Sequence, residues 1–316
     1  MKVKSIFLLI TLAYLCIFSN AQQIIPSKVI INHRAVLGEG SLWHPVEKLL
    51  YWVDIDEGIL NTYDPITKDE KKFVLGQKVG TVVPIDSGGV LVALKDGIYS
   101  YNLNNKQLNL LVSPENNLEK NRFNDGKCDP AGRFWVGSMG PRYQAFLYRI
   151  SSDGNCKQML DSISTSNGIV WSADKKTMYY IDTSTGAVRA FDFDNASGNI
   201  TNPRIVIKFQ QGIGYPDGMS IDSEDKLWIA HWGGFCVGRW DPVTGKMIAK
   251  IEVPAPNVTS CAFGGKNLDE MYITTACTGM SAADLEKYPD SGKVFVAHPG
   301  VQGVKANFLV TNQSIH

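Results

Sequence analysis

The sequence predicts an all-β fold, a six-bladed β-propeller with four-stranded antiparallel blades, and three observations carry that prediction. A short aromatic-rich apolar strand recurs six times, its spacing is nearly constant, and 3.6-residue apolar periodicity is absent between the recurrences. The strand reads KLLYWVDI at 48–55, GVLVAL at 89–94, GRFWVGSM at 132–139, KTMYYIDT at 176–183, DKLWIAHW at 225–232 and DEMYITTA at 269–276. With Tyr51, Leu91, Trp135, Tyr179, Trp228 and Tyr272 as markers, successive gaps are 40, 44, 44, 49 and 44 residues. That is the length four short strands and their turns require.

Taken in chain order, Met1 to Ala21 has a basic start (Lys2, Lys4), an apolar run from Ile6 to Phe18 and small residues at Ser19 to Ala21. This pattern predicts a cleavable secretory signal and a secreted or periplasmic protein. The apolar run falls short of the roughly 20 residues a spanning helix needs, so no membrane association is expected after cleavage. Residues 22–316 are then expected to form a single propeller domain. The strand candidate KVIINHRAVL at 28–37 is expected to close the ring beside the C-terminal VKANFLV at 304–310. Each repeat is preceded by a β-rich run such as GSLWHP, NGIVWSA or DGMSIDS, and followed by another strand and a turn such as YDPITK or WDPVTGK. A pair of β-sandwiches would need a mid-chain boundary, and no linker or composition shift marks one.

Charge narrows the partners. The chain has 31 basic and 31 acidic residues and no basic run, so it lacks the electrostatic footprint of a nucleic-acid or anionic-membrane binder. A small-molecule partner and a monomer or weak homo-oligomer are expected. Five cysteines remain beyond the leader (Cys128, Cys156, Cys236, Cys261, Cys277), with no C-x-x-C pair and no histidine at zinc-ligand spacing. They read as small core residues, with one disulfide possible.

Four repeats carry a polar residue followed by glycine just ahead of the marker strand: Gly38-Glu39-Gly40, Asn124-Asp125-Gly126, Ser166-Asn167-Gly168 and Pro216-Asp217-Gly218. Asn-Gly and Asp-Gly are ordinary turn dipeptides. Recurrence in register with the blade repeat is not explained by turns, and oxygen donors gathered around one axis suit a hard divalent cation.

The segments GEGSLWHPVEKLLYWVDI, RFNDGKCDPAGRFWVGSM, SNGIVWSADKKTMYYIDT, YPDGMSIDSEDKLWIA and TSCAFGGKNLDEMYIT closely resemble the SMP-30/gluconolactonase/luciferin-regenerating-enzyme family, from Gly38 to about Thr275. The resemblance implies a six-bladed propeller that binds one divalent metal ion and hydrolyses small lactones. It implies Glu39, Asn167 and Asp217 as metal ligands, Asp217 also as general base, and Arg122 and Asn124 as the residues that hold the lactone's oxygens. One stretch departs from the sugar-lactonase pattern: GSMGPRYQAFLYRI is short, carrying Arg142, Tyr143 and Gln144 but no carboxylate, which points toward an anionic lactone.

Lactone opening passes through a tetrahedral oxyanion, which a Lewis acid and a base that activates water would both serve. Carboxylate and amide ligands favour Ca²⁺ or Mg²⁺, then Mn²⁺, over Zn²⁺. Neither His44 nor His231 has a ligand spacing, and the seven tryptophans fall mainly within strand repeats, as core residues do. No G-x-S-x-G, G-x-G-x-x-G, P-loop or H-E-x-x-H is present. Two further readings fit the same residues: a promiscuous esterase or organophosphate hydrolase on this site, and a non-catalytic calcium-binding or protein-docking propeller.

Overall fold

A computed structural model describes residues 23–311; the leader expected at 1–21 lies outside the described residues. The chain opens with β1 (Gln23–Ile31) and then runs through successive up-and-down units. The first is β2 (Gly38–His44), β3 (Leu49–Asp54), β4 (Ile59–Tyr63) and β5 (Glu70–Val74). Next come β6 (Val79–Pro84), β7 (Val90–Leu94), β8 (Gly97–Tyr101) and β9 (Leu108–Val112). The third unit is β10 (Arg122–Cys128), β11 (Phe134–Met139), β12 (Ala145–Ile150) and β13 (Cys156–Ile163). The fourth is β14 (Ser166–Trp171), β15 (Thr177–Asp182), β16 (Ala187–Asp194) and β17 (Asn199–Lys208). Then follow β18 (Tyr215–Ile221), β19 (Leu227–Trp232), β20 (Cys236–Asp241) and β21 (Lys246–Glu252). The chain ends its strands with β22 (Asn257–Gly264), β23 (Glu270–Ala276), the short helix α1 (Ala282–Lys287) and β24 (Val294–Ala297).

The first four units are separate four-stranded antiparallel sheets, and the remaining strands form one eight-stranded sheet in the order β18-β19-β20-β21-β1-β24-β23-β22. Its midpoint is a parallel pairing of β1 with β21, Ile25 opposite Ile251, and β1 runs antiparallel to β24, Ser27 opposite Ala297. The expected closing strand is therefore real, but its partner is β24. The C-terminal VKANFLV stretch does not pair with it. That stretch instead crosses the end of the channel, with Leu309 bridging Ile85, Gly303 bridging Asp222 and the Val310 N–H donating to the Gly132 carbonyl. A strand with a free antiparallel edge at β24 is the better partner, because residues 304–310 have already passed beyond the sheet.

The first strands of the units pack in a closed cycle, β2 on β6, β6 on β10, β10 on β14, β14 on β18, β18 on β22 and β22 back on β2. Apolar faces fill the wedges between neighbouring sheets: Val53 and Leu60 meet Val82 and Val92, Trp135 meets Trp171 and Tyr180, and Trp43 meets Tyr272. Six of the seven tryptophans are buried, Trp232 being the half-exposed one. Two of them are pinned alike: the indole N–H of Trp135 donates to Asp129 (2.8 Å) and that of Trp228 to Asp222 (2.9 Å). The same carboxylate oxygens accept from Arg133 Nε and Arg239 Nε at 2.6 and 2.8 Å. All five cysteines of the described residues are free, so Cys261 and Cys277 are not bridged.

Candidate functional site

The marker strands are the second strands of their units, and the polar-glycine positions lie inside the strand before each of them. Glu39 is in β2, Asn124 and Asp125 in β10, Asn167 in β14 and Asp217 in β18, so the expectation that they precede the innermost strand is corrected: they are part of it. At each place the pairing with the second strand slips, between Glu39 and Leu42, Phe123 and Gly126, Ser166 and Ile169, and Pro216 and Met219. A bulge re-aims side chains out of the regular alternation and leaves backbone unpaired. The recurrence therefore reflects bulges rather than turns. The glycines answer to crowding: a methyl group at Gly168 would lie 2.5 Å from Met219 Cβ, and one at Gly218 would lie 2.8 Å from the Thr259 carbonyl oxygen. Only glycine lets these inner strands approach so closely.

Glu39, Asn124, Asp125, Asn167 and Asp217 are all buried, and Arg122 is partly buried beside them. Arg122 donates from Nη1 to Asn124 Oδ1 at 2.6 Å and to the Phe123 carbonyl at 3.0 Å. Asn124 Nδ2 reaches across to the Ser166 carbonyl at 2.7 Å, tying β10 to β14. Asn167 Nδ2 donates to Thr183 Oγ1 at 3.0 Å, and that hydroxyl donates to the Pro216 carbonyl at 2.8 Å. This relay fixes the Asn167 amide, leaving its oxygen turned away from Thr183. Glu39 Oε2 accepts from the Gly40 N–H at 3.1 Å.

Within this cluster two buried oxygens have no hydrogen-bond partner, Asn167 Oδ1 and Asp217 Oδ1. Orphaned acceptors are costly in a protein interior. Burial pushes the Glu39 carboxyl up to about 8, with the Asp125 charge adding to the shift. Burial also holds Asp217 well above the carboxylate range, aided by repulsion from Glu39 and Asp125. Asp125 is raised by burial too, with Lys127 opposing. The Arg122 guanidinium is lowered by burial and supported by Glu39, Asp56 and Asp217. The chain thus gathers buried carboxyls that its own groups do not keep ionised, beside bare acceptor oxygens. Among the described residues no three His, Cys, Asp or Glu side chains form a metal-binding group. The donor set that could hold an ion here is two carboxylates and an amide, all hard oxygens, which fits Ca²⁺ or Mg²⁺ better than Zn²⁺.

The structure brings all five predicted residues, Arg122, Glu39, Asn124, Asn167 and Asp217, to the same level of the inner-strand cycle. Sequence reasoning missed three neighbours. Asp125, not Asn124, holds the place immediately before glycine that Glu39, Asn167 and Asp217 hold, a register visible in the sequence. Thr183, which orients Asn167, and Asp56, which faces Arg122, carry no comparable signal. His44 and His231 are core groups: His231 is fully buried, its Nδ1 2.8 Å from the Ile213 carbonyl, and His44 packs against Tyr51 and Phe308.

A family model described as the SMP-30/gluconolactonase/LRE-like region matches residues 37–277. The chain belongs to that family. The match spans β2 through the end of β23 and so contains every residue of the site. Among its relatives, a Bacillus subtilis protein named "Putative sugar lactone lactonase YvrE" is 41% identical over 267 residues, 84% of this chain and 91% of that protein. Human regucalcin is 38% identical over 276 residues, 84% of this chain and 92% of that one. Among solved structures, a calcium-binding protein, regucalcin, from Agrobacterium tumefaciens superimposes with a TM-score of 0.85 at 26% identity, covering 91% of this chain and 99% of that one. The arrangement is the SMP-30 propeller, built of four-stranded antiparallel blades.

Proposed function

We propose that this chain is a divalent-metal-dependent lactonase that opens a small sugar-type lactone, on a propeller of six blades. The closed cycle of β2, β6, β10, β14, β18 and β22 supports the blade count, with the eight-stranded sheet counted as two blades joined at β1 and β21. The name of the Bacillus subtilis relative supports the substrate class. The observation that carries the metal is the pair of orphaned buried oxygens beside an under-neutralised Glu39. Glu39, Asn167 and Asp217 would hold the ion, which when bound supplies Lewis acidity toward the lactone carbonyl.

The remaining chemistry belongs to the side chains. Asp217, ionised once a cation offsets its burial, accepts a proton from water as the water oxygen adds to the carbonyl carbon. The ring C–O bond then breaks, and the proton passes to the departing alkoxide. Arg122 and Asn124, locked to each other at 2.6 Å, present a guanidinium edge to the lactone's oxygens. The short connection from β11 to β12 places the Arg142 guanidinium 4.8 Å from the Tyr143 ring centroid, and Tyr143 is exposed. That uncompensated cation favours an anionic lactone. The leader would deliver the protein to the periplasm or the exterior.

The test is lactone hydrolysis followed by pH-stat after chelation and after adding back Ca²⁺, Mg²⁺, Mn²⁺ or Zn²⁺, with Asp217→Ala and Arg122→Met in parallel. Metal-restored turnover that vanishes in Asp217→Ala, with KM raised in Arg122→Met, is expected. Bound metal with no turnover on a panel of neutral and anionic lactones would instead assign a binding role.

A further inference from the structure

A second cavity lies at the opposite end of the inner strands. Its walls come from the C-terminal halves of those strands, including Trp43 of β2, Lys127 of β10, Trp171 of β14 and Phe263 of β22. Its floor is the C-terminal segment at Val304 to Asn307, held by the Asn307 Nδ2 bond to the Cys128 carbonyl (3.2 Å) and by the Gly303 and Leu309 bridges. None of Glu39, Arg122, Asn124, Asn167 or Asp217 lines it. At about 3.3 Å per residue along a strand, the two to four residues between the site and the lining put the cavity roughly 10 Å away.

Three features define what would fit. The volume is about 170 Å³, and apolar cavities of about 150 Å³ accept a single benzene-sized ring. Two indoles and a phenyl ring, with Leu42, Val170 and Ile221, supply flat and aliphatic contact. The charged residues of the lining are Lys127, Lys175 and Lys305, with no Asp or Glu among them. Lys175 and Lys305 are exposed at the rim, whereas Lys127 is partly buried in the channel. The Lys127 ammonium donates to the Met219 carbonyl and lies close enough to Asp125 to act on its charge, which leaves N–H capacity for a ligand carboxylate.

We propose that this cavity binds a monocyclic carboxylate, the ring between Trp43, Trp171 and Phe263 and the carboxylate on Lys127. The inference does not depend on the lactonase reading, because it uses neither the metal nor Glu39, Arg122, Asn124, Asn167 or Asp217, although Lys127 also acts on Asp125.

The test is benzoate titrated into the intact chain by calorimetry, together with quenching of tryptophan fluorescence, with benzyl alcohol as the uncharged control and chelator present throughout. Saturable benzoate binding that survives chelation, weaker binding of benzyl alcohol, and a loss of at least tenfold in Lys127→Met are expected. Should Lys127→Met fail to fold, Ala306→Trp fills the cavity from the half-buried strap and is expected to abolish binding while leaving metal binding intact. No benzoate binding at millimolar concentration would overturn the proposal. So would binding that needs the metal, or binding unchanged in Ala306→Trp or in a folded Lys127→Met.

Discussion

Removing the metal should make the protein's stability fall with rising pH in a range where most proteins show little change. In the metal-free fold Glu39 titrates at about 8 and Asp217 well above the carboxylate range, both chiefly because burial disfavours their charged forms. In the unfolded chain both ionise near pH 4. From there up to pH 8 the fold holds protons that the unfolded chain has released, so stability is lost as pH rises through the folded values. Each such proton is worth about 1.4 kcal/mol per pH unit. With Glu39 half ionised at its folded value, its own share of the loss from pH 7 to pH 8 is about 1 kcal/mol, and Asp217 adds to it in the same direction. His33, His44 and His231 are all lowered by burial, His231 to about 4, so their opposite contribution is mostly complete by pH 7, where about a quarter of unfolded histidine is still protonated. Unfolded-state thiols, with a midpoint near 8.5, are only about a quarter ionised at pH 8 and add the same small decline with or without Ca²⁺. The assay is urea denaturation at pH 7.0 and 8.0 in chelator and in saturating Ca²⁺, for the parent and Asp217→Asn. The decline should appear in chelator, shrink in Asp217→Asn, and largely disappear with Ca²⁺. A flat or rising stability in chelator, or an equal decline with Ca²⁺ present, would refute the account.

Other consequences are local. Thr183→Val removes the hydroxyl that holds the Asn167 amide, and should weaken metal affinity by about tenfold in calorimetry with little change in the urea midpoint. Gly218→Ala places a methyl 2.8 Å from the Thr259 carbonyl oxygen and 2.9 Å from Ser260 Cα, and should cost about 1–3 kcal/mol by urea denaturation. Asp182→Asn puts an amide where a carboxylate accepts from the N–H groups of Ser164 (3.2 Å), Thr165 (3.0 Å) and Ser184 (3.3 Å). It should destabilise the fold by about 1–3 kcal/mol at pH 7 with or without metal, a loss that the urea midpoint reads directly.

Much of the architecture is legible in the sequence because one physical unit repeats. Each marker strand lies between an inner and an outer neighbour and has to be apolar on both faces, which makes KLLYWVDI and DKLWIAHW stand out from their surroundings. The inner strands are harder to read, since Gly38–His44 and Tyr215–Ile221 mix polar residues into fully or almost fully buried segments. Alternation fails there because bulges interrupt it, and so the polar-glycine positions read as lying ahead of a strand when they are inside one. The partner of β1 was also hidden. Both Val294–Ala297 and residues 304–310 are apolar enough to pair, and only the path across the channel end withdraws the second. Asp125 was in plain view one residue from Asn124, whereas Thr183 belongs to a 3-10 turn after β15 whose side-chain partner is set by tertiary packing alone.

The buried carboxylates divide by what surrounds them, and that division is the strongest physical reason to place chemistry at the axis. Asp54 accepts from the N–H groups of Val36 and Leu37, and Asp182 does the same for Ser164 and Thr165, each at the end of a second strand where it fastens the approach to an inner one. Asp129 and Asp222, at the other end, each join a tryptophan and an arginine. All four sit where the repeat puts them and give their oxygens donors from the same unit. Glu39 and Asp217 occupy equally buried positions, yet the donors each has, Gly40 for Glu39 and Asn167 and Gly218 for Asp217, do not offset burial, and Asp217 Oδ1 stays without a partner. A scaffold selected for stability alone would replace them with threonine, as the sixth inner strand does with Thr259, whose hydroxyl is bonded to the Gly38 carbonyl. Keeping two buried carboxyls and a bare amide oxygen at one level of the channel costs stability that a bound cation would return.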